Sequence, residues 1–252
     1  MRIWNAAVNH IRKSGTYSAK MLKDKPVKAV ISETQRILDD GMQSGLSDNE
    51  PPQQMTDSLR SDVFVFSACK THIQLKELSS MLLNDQGKVT PMSEFKQKAT
   101  ELHQQYNGNY LEAEYVFATS SAQMAAQWAD VAQSENRYDL QYRTAGDSQV
   151  RETHRRLSNI TLPADDPFWD AYYPPNGWRC RCTAIQVRKG KYPQSDSNEA
   201  ITRGEIATTE IDAQGNNRAE MFRFNPGKQQ VIFPPSHPYY KVKETVTKNV
   251  KQ

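Results

Sequence analysis

Two of the chain's three cysteines, Cys180 and Cys182, stand one residue apart in PPNGWRCRCTAIQV, residues 174 to 187, each preceded by an arginine. Thiols serve as metal ligands, nucleophiles and disulfide partners, and this spacing bears differently on each role. In an extended strand, residues two apart face the same way, with Cα atoms roughly 6.5 Å apart. That separation is at the far edge of disulfide geometry, so a bond between the two requires a distorted strand. A zinc ion takes both sulfurs only if they lean together, with His154 as a third ligand. No convincing fourth ligand follows, because Asp147 lies two helical turns, about 10 Å, from His154 on the same predicted helix.

Nucleophilic use of a thiol needs a histidine base and positive surroundings, which His154, Arg179 and Arg181 offer. The residue order matches no thiol hydrolase, however, and a second thiol two positions on is foreign to that design. A nuclease built on Asp147, His154 and Asp165 lacks a second histidine or acidic cluster at useful spacing. The favoured reading is two buried thiols packed against an aromatic loop. A structural zinc on Cys180, Cys182 and His154 is the alternative, and no other cofactor is expected.

Several elements must position these groups. Thr144 followed by Asp147 fits a capping box and predicts a short helix from about residue 145 to residue 157. On it Asp147, Val150 and His154 share a face, and Asp147 can pair with Arg151 one turn on. Residues 158 to 177 form an ordered loop, because Phe168, Trp169, Tyr172 and Tyr173 need an apolar place, and Asn176-Gly177 is a turn signature. RCRCTAIQV alternates like a strand, with the cysteines on one face and Arg179 and Arg181 on the other. FRFNPGKQQVIFPP predicts two short strands around an Asn-Pro-Gly turn.

Upstream the pattern is helical. Leu111, Tyr115, Ala118, Ala122, Ala125, Ala129 and Ala132 recur at spacings of four and three, the seam of a long packed helix whose alanines admit a neighbouring backbone. Leu75, Leu78 and Leu82 mark another helix, Ser93 and Phe95 open a third, and residues 1 to 45 are weakly helical. A breaker-rich stretch at 41 to 54 reads as a linker. The expected fold class is α+β: an N-terminal helical region, then a small α+β domain with a short antiparallel sheet and long ordered loops. The expected divisions are a helical arm and linker (1–55), a helical region (56–135), a motif domain (136–240) and a basic C-terminal tail (241–252).

The composition, 37% hydrophobic and 24% charged with mean hydropathy -0.79, is polar for a compact globule. No apolar run of about 18 residues is present, which argues against a membrane span. The opening MRIWNAAVNHIRKSGTYSAK has no signal-peptide pattern, so a reducing cytoplasm and free thiols are expected. A net charge of +3 does not by itself declare a nucleic-acid binder. Both ends are basic, however, and Lys20, Lys23 and Lys25 together with Lys241, Lys243, Lys248 and Lys251 could touch phosphate. The arginines between Arg143 and Arg188 either face phosphate as well or clamp Asp147, Asp165, Asp166 and Asp170 internally.

The strings RTAGDSQVRETHRRL and LPADDPFWDAYYPPNGWRCRCTAIQV resemble the phage Mu protein F-like, or head-morphogenesis, family of tailed-phage minor head proteins. The resemblance runs over about residues 60 to 240 and is carried by Arg143, Asp147, Arg151, His154, Trp169, Pro174, Pro175, Asn176, Gly177, Trp178, Cys180 and Cys182. It implies a non-enzymatic minor capsid protein at the portal vertex inside the head, active in assembly, packaging or ejection. The implied partners are the portal protein, a major capsid or scaffolding protein and double-stranded DNA, with no membrane. The implied location is the virion, with the host bacterial cytoplasm during assembly. The rivals are a hydrolase or nuclease using Asp147, His154 and Cys180/Cys182, and a stand-alone DNA-binding module whose affinity falls steeply with salt.

Overall fold

The computed structural model describes residues 1–47, 50–134 and 137–250. The protein is α+β, with helices first and a small three-stranded antiparallel sheet after them. The helices are α1 (Arg2–Ser14), α2 (Lys25–Leu46), α3 (Gln53–Ser80), α4 (Met92–His103) and α5 (Leu111–Ala132). Further on come α6 (Glu152–Arg155), α7 (Phe168–Ala171), α8 (Ser197–Ala207), α9 (Pro226–Gln229) and α10 (Lys243–Val250). The strands are β1 (Tyr138–Arg143), β2 (Thr161–Pro163) and β3 (Thr183–Arg188), in the spatial order β2-β1-β3.

The chain folds as two compact units. The first comprises Met1–Asp39, Ser61–Tyr115 and His237–Gln252. Trp4, Ala7, Val8 and Ile11 are buried at helical spacing on α1. They share a core with Leu22, with Val27, Val30 and Ile31 of α2, with Leu75 and Leu78 of α3, and with Phe95, Ala99 and Leu102 of α4. Gly15 ends α1 in the left-handed region at φ 68°, and its N–H returns to the carbonyl of Ile11. The Trp4 indole N–H donates to the carbonyl of Ala99 at 2.9 Å. The basic C-terminal stretch is helical as α10, and its Val246 is fully buried in this core.

Two polar arrangements fix the interior of the same unit. The Tyr240 hydroxyl donates to Asp62 at 2.6 Å, while Phe66 packs edge-on against His237 and Tyr240. Lys70 and Glu114, both almost wholly buried, form an ion pair. Burial pushes the lysine down and the glutamate up from their ordinary values, against the attraction each exerts on the other. Two charges out of water are tolerable only together.

The second unit comprises Asp40–Arg60 and Val116–Ser236. On α5, Ala118, Ala122 and Ala125 are fully buried, whereas Tyr115 and Ala132 of the same seam are exposed. The backbone that the alanines admit is the last turn of α2, where a Cβ on Gly45 would lie 2.1 Å from the Thr119 carbonyl. In the sheet, β1 pairs with β2 through Leu140 opposite Leu162, and with β3 through Tyr142 opposite Ala184. Leu140, Tyr142, Leu162 and Ala184 face a core that also takes Met124 and Trp128 from α5 and Phe168, Trp169, Tyr172 and Tyr173 from the loop.

Several expected elements come out differently; the linker expected over 41 to 54 is shorter, because α2 runs to Leu46 and α3 opens at Gln53. The helix expected over residues 145 to 157 is the single turn of α6, because Asp147 accepts from the Gln149 N–H in a turn and bonds to a distant side chain described below. The strand expected from Arg179 starts at Thr183, since Arg179 itself is left-handed at φ 57°. The hairpin expected around Asn-Pro-Gly is α9: Asn225 accepts hydrogen bonds from the N–H groups of Gly227 and Lys228, with proline at the first helical position.

Replacing Lys70 by methionine should leave the Glu114 carboxylate buried without its partner and cost about 3–5 kcal/mol of stability. The double replacement Lys70→Met with Glu114→Leu should recover most of it. Urea unfolding of the three full-length chains checks the difference.

Candidate functional site: a buried thiol and imidazole cluster

The site is built outward from Tyr142 on the central strand. Its side chain is fully buried, and its hydroxyl donates to Asn176 Oδ1 at 2.9 Å. Burial holds the Tyr142 phenol well above its ordinary pKa, so it stays a neutral donor. The Asn176 amide donates in turn to the Tyr173 carbonyl at 3.4 Å. A loop with few backbone partners is thereby tied to the sheet through one asparagine. Pro174 and Pro175, joined by a cis peptide bond, are buried just before it. Trp169 lies edge-on to Phe168 at 4.8 Å between ring centres.

After Asn176 the chain turns back on itself. Gly177 leaves room for Arg151, whose Nη1 would sit 3.3 Å from an added Cβ. Arg151 donates to the Trp178 carbonyl at 2.7 Å. The Trp178 ring stands edge-on to Phe117 and Phe222, at 5.0 and 5.3 Å. The residue that takes the left-handed conformation is Arg179, neither half of the Asn-Gly signature, and the Cys180 N–H closes the turn onto the Gly177 carbonyl. The cysteines therefore precede the sheet and do not lie on it.

This turn brings both thiols to His154 on α6. His154 Nδ1 is 3.6 Å from Cys180 Sγ and 3.8 Å from Cys182 Sγ. The histidine is 3% exposed and each cysteine 4%. The hydrogen bond with Cys182, followed by the one with His154, holds the Cys180 thiol well below its ordinary pKa. The same bond between the sulfurs, and then burial, pushes Cys182 up. The cavity beside them, bordered by Gln149, Val150, Arg151 and Arg181, measures about 20 Å³, room for roughly one water.

Asp147 is not part of this group. Its two oxygens accept from Arg181 at 2.6 and 2.8 Å, and Oδ1 also accepts from the Gln149 N–H. The Arg181 guanidinium holds its carboxyl below the ordinary value. The pairing expected with Arg151 is replaced by this one, which spans 34 residues. Asp166 accepts from the Phe168 N–H and the Ser197 hydroxyl, and Asp170 pairs with Lys228. Arg143, at the end of β1, lies over the Tyr192 ring at 5.9 Å. Of the residues sequence reasoning singled out, the structure brings together His154, Cys180 and Cys182. The anchor it missed is Tyr142, whose only signal was its alternation with Leu140 in YDLQYR.

The basic residues lie in the first unit. Lys20 and Lys23 sit on a 3₁₀ turn, Ala19–Lys23, and Lys25 opens α2. Lys241, Lys243 and Lys248 lie on the C-terminal helical stretch, and all six are exposed. The 3₁₀ turn packs against α10, which makes the two basic ends neighbours. Lys251 lies outside the described residues. Among the described residues, no helix is long and apolar enough to cross a membrane.

The profile of the family described as Phage Mu protein F like protein matches residues 35–185. The putative capsid assembly protein F of Escherichia phage Mu is 31% identical over 111 residues, 43% of this chain and 25% of that protein. The Mu-like prophage FluMu F protein of Haemophilus influenzae is 40% identical over 62 residues, 22% of this chain and 15% of that protein. Each match spans a quarter or less of the relative's length. No solved structure matches the chain.

Replacing Tyr142 by phenylalanine should strand the Asn176 carbonyl in the core and cost about 1–3 kcal/mol. Chemical unfolding of the full chain checks it, and an unchanged midpoint would show that the loop is anchored elsewhere.

Proposed function

Because the chain belongs to the Phage Mu protein F like family, we propose that it is a non-enzymatic minor capsid protein acting in head assembly of a tailed phage or prophage. The observation that carries this reading is the extent of the family match, which takes in the whole stretch from Tyr142 through Cys182. The matched relative from phage Mu bears the name of a capsid assembly protein, which points the same way.

The side chains of the site favour a scaffold over a catalyst. Asp147 is occupied by Arg181, Arg151 by a backbone carbonyl, and the thiols and imidazole by one another. A cavity of about 20 Å³ leaves no place for a polymer or a peptide. In this reading the chain associates with the portal protein at its vertex inside the head, beside major capsid or scaffolding protein. The exposed lysines of the Ala19–Lys23 turn and of α10 touch packaged double-stranded DNA there, through phosphate contacts that carry no sequence information.

Co-expression with the portal and major capsid proteins of the same phage tests the assembly role: the chain should sediment with heads, and heads free of it would overturn the reading. DNA contact is tested by replacing Lys20, Lys23, Lys243 and Lys248 with glutamine. The logarithmic salt dependence of binding to duplex DNA should become shallower by about 0.9 per lysine that met phosphate. An unchanged slope would remove DNA from the list of partners.

A further inference from the structure

The cluster of His154, Cys180 and Cys182 has the chemistry and the spacing of a metal site. The three donor atoms lie within 4.8 Å of one another, and all three side chains are buried. A tetrahedral zinc with Zn–S of about 2.3 Å and Zn–N of about 2.0 Å sets its two sulfurs about 3.8 Å apart and each sulfur about 3.5 Å from the nitrogen. The imidazole-to-sulfur distances of 3.6 and 3.8 Å come within a few tenths of an ångström of that nitrogen-to-sulfur edge. The backbone accounts for the fit. Had the strand begun at Arg179, the thiols would project in parallel, roughly 6.5 Å apart at their Cα atoms. The left-handed Arg179 and the turn from Gly177 to Cys180 instead lie directly before them, and the two sulfurs lie within 4.8 Å of each other.

The donor set selects the ion. Two sulfurs and an imidazole, with no carboxylate among them, suit zinc and other soft or borderline metals and not magnesium or calcium. Two thiolates also neutralise a divalent ion, which a buried place requires. Among the described residues no fourth histidine, cysteine or acid joins the group. The cavity of about 20 Å³ that borders His154, Cys180 and Cys182 has room for roughly one water.

We propose that His154 Nδ1, Cys180 Sγ and Cys182 Sγ bind one zinc ion, with a water molecule in the adjoining cavity as the fourth ligand. Binding releases both thiol protons to solvent, leaves the imidazole neutral and needs no redox partner. The ion joins α6 to the turn before β3, two stretches otherwise linked through Arg151 and the Trp178 carbonyl. The inference stands apart from the head-assembly reading, since a chain with any role could carry this site.

The test uses the full chain, reduced, purified without a polyhistidine tag, stripped with a chelator and then titrated with zinc and with cobalt(II). The expected result is about one metal per chain. Cobalt should give an intense thiolate-to-metal charge-transfer band and the visible bands of a tetrahedral ion. Cys180→Ser and Cys182→Ser should each weaken the charge-transfer band, whereas Cys69→Ser should leave it intact. These variants lie in a core and can unfold, so the unaltered chain decides by itself. A folded, reduced wild type that takes up cobalt without a charge-transfer band, or takes up none, overturns the proposal. So does a Cys69→Ser chain that folds and loses the band.

Discussion

One hydrogen bond, from the buried Tyr142 hydroxyl to Asn176, holds together a region with very little regular structure. Between β2 and β3 the chain has only the single turn α7, yet it buries Phe168, Trp169, Tyr172 and Tyr173. A loop that buries so much must satisfy its polar groups by specific bonds, because no ladder or helix does it for free. Asn176 meets this need by accepting from the strand and donating to the loop. With Asn176 fixed, Gly177 can accommodate Arg151, Trp178 can seat against Phe117 and Phe222, and the cysteines reach His154.

How much of this was legible in the sequence depended on how far apart the interacting residues lie. The alanine seam of α5 is a local periodicity, and it is buried as its spacing implies, except at Tyr115 and Ala132 near the helix ends. The grouping of His154 with the two thiols followed from residue types alone. What failed were local motifs with more than one meaning. Thr144 and Asp147 fit a capping box, but Arg181, 34 residues away, takes the carboxylate. Asn-Pro-Gly fits a hairpin turn, but asparagine before proline is equally a helix cap, and Asn225 serves as one. The alternation of RCRCTAIQV continued a genuine strand backwards by four residues, because nothing local marks Arg179 as left-handed. The meeting of the two basic ends, on the Ala19–Lys23 turn and α10, has no trace in any sequence window.

A head component of the kind proposed needs a surface that keeps its shape under load more than it needs a cleft. The unit carrying residues 142 to 182 fits that need, since several of its polar residues are matched to one another. Arg181 holds Asp147, Arg151 holds a carbonyl, and the thiols hold the imidazole. The other unit places its ionic group differently: Lys70 and Glu114 lie within the helical core, while the exposed lysines remain available to a polyanion. In this proposal the scaffold and the electrostatic surface fall to separate units.

The central claim is that residues 174 to 182 form a rigid, internally satisfied scaffold anchored on β1. Hydrogen–deuterium exchange of the full chain under native conditions tests it most directly. The account predicts that the amides of this stretch, the Cys180 N–H among them, exchange as slowly as those of β1 and respond to denaturant in parallel with them. Rapid exchange of this stretch while β1 stays protected would mean that it opens on its own, and would contradict the account.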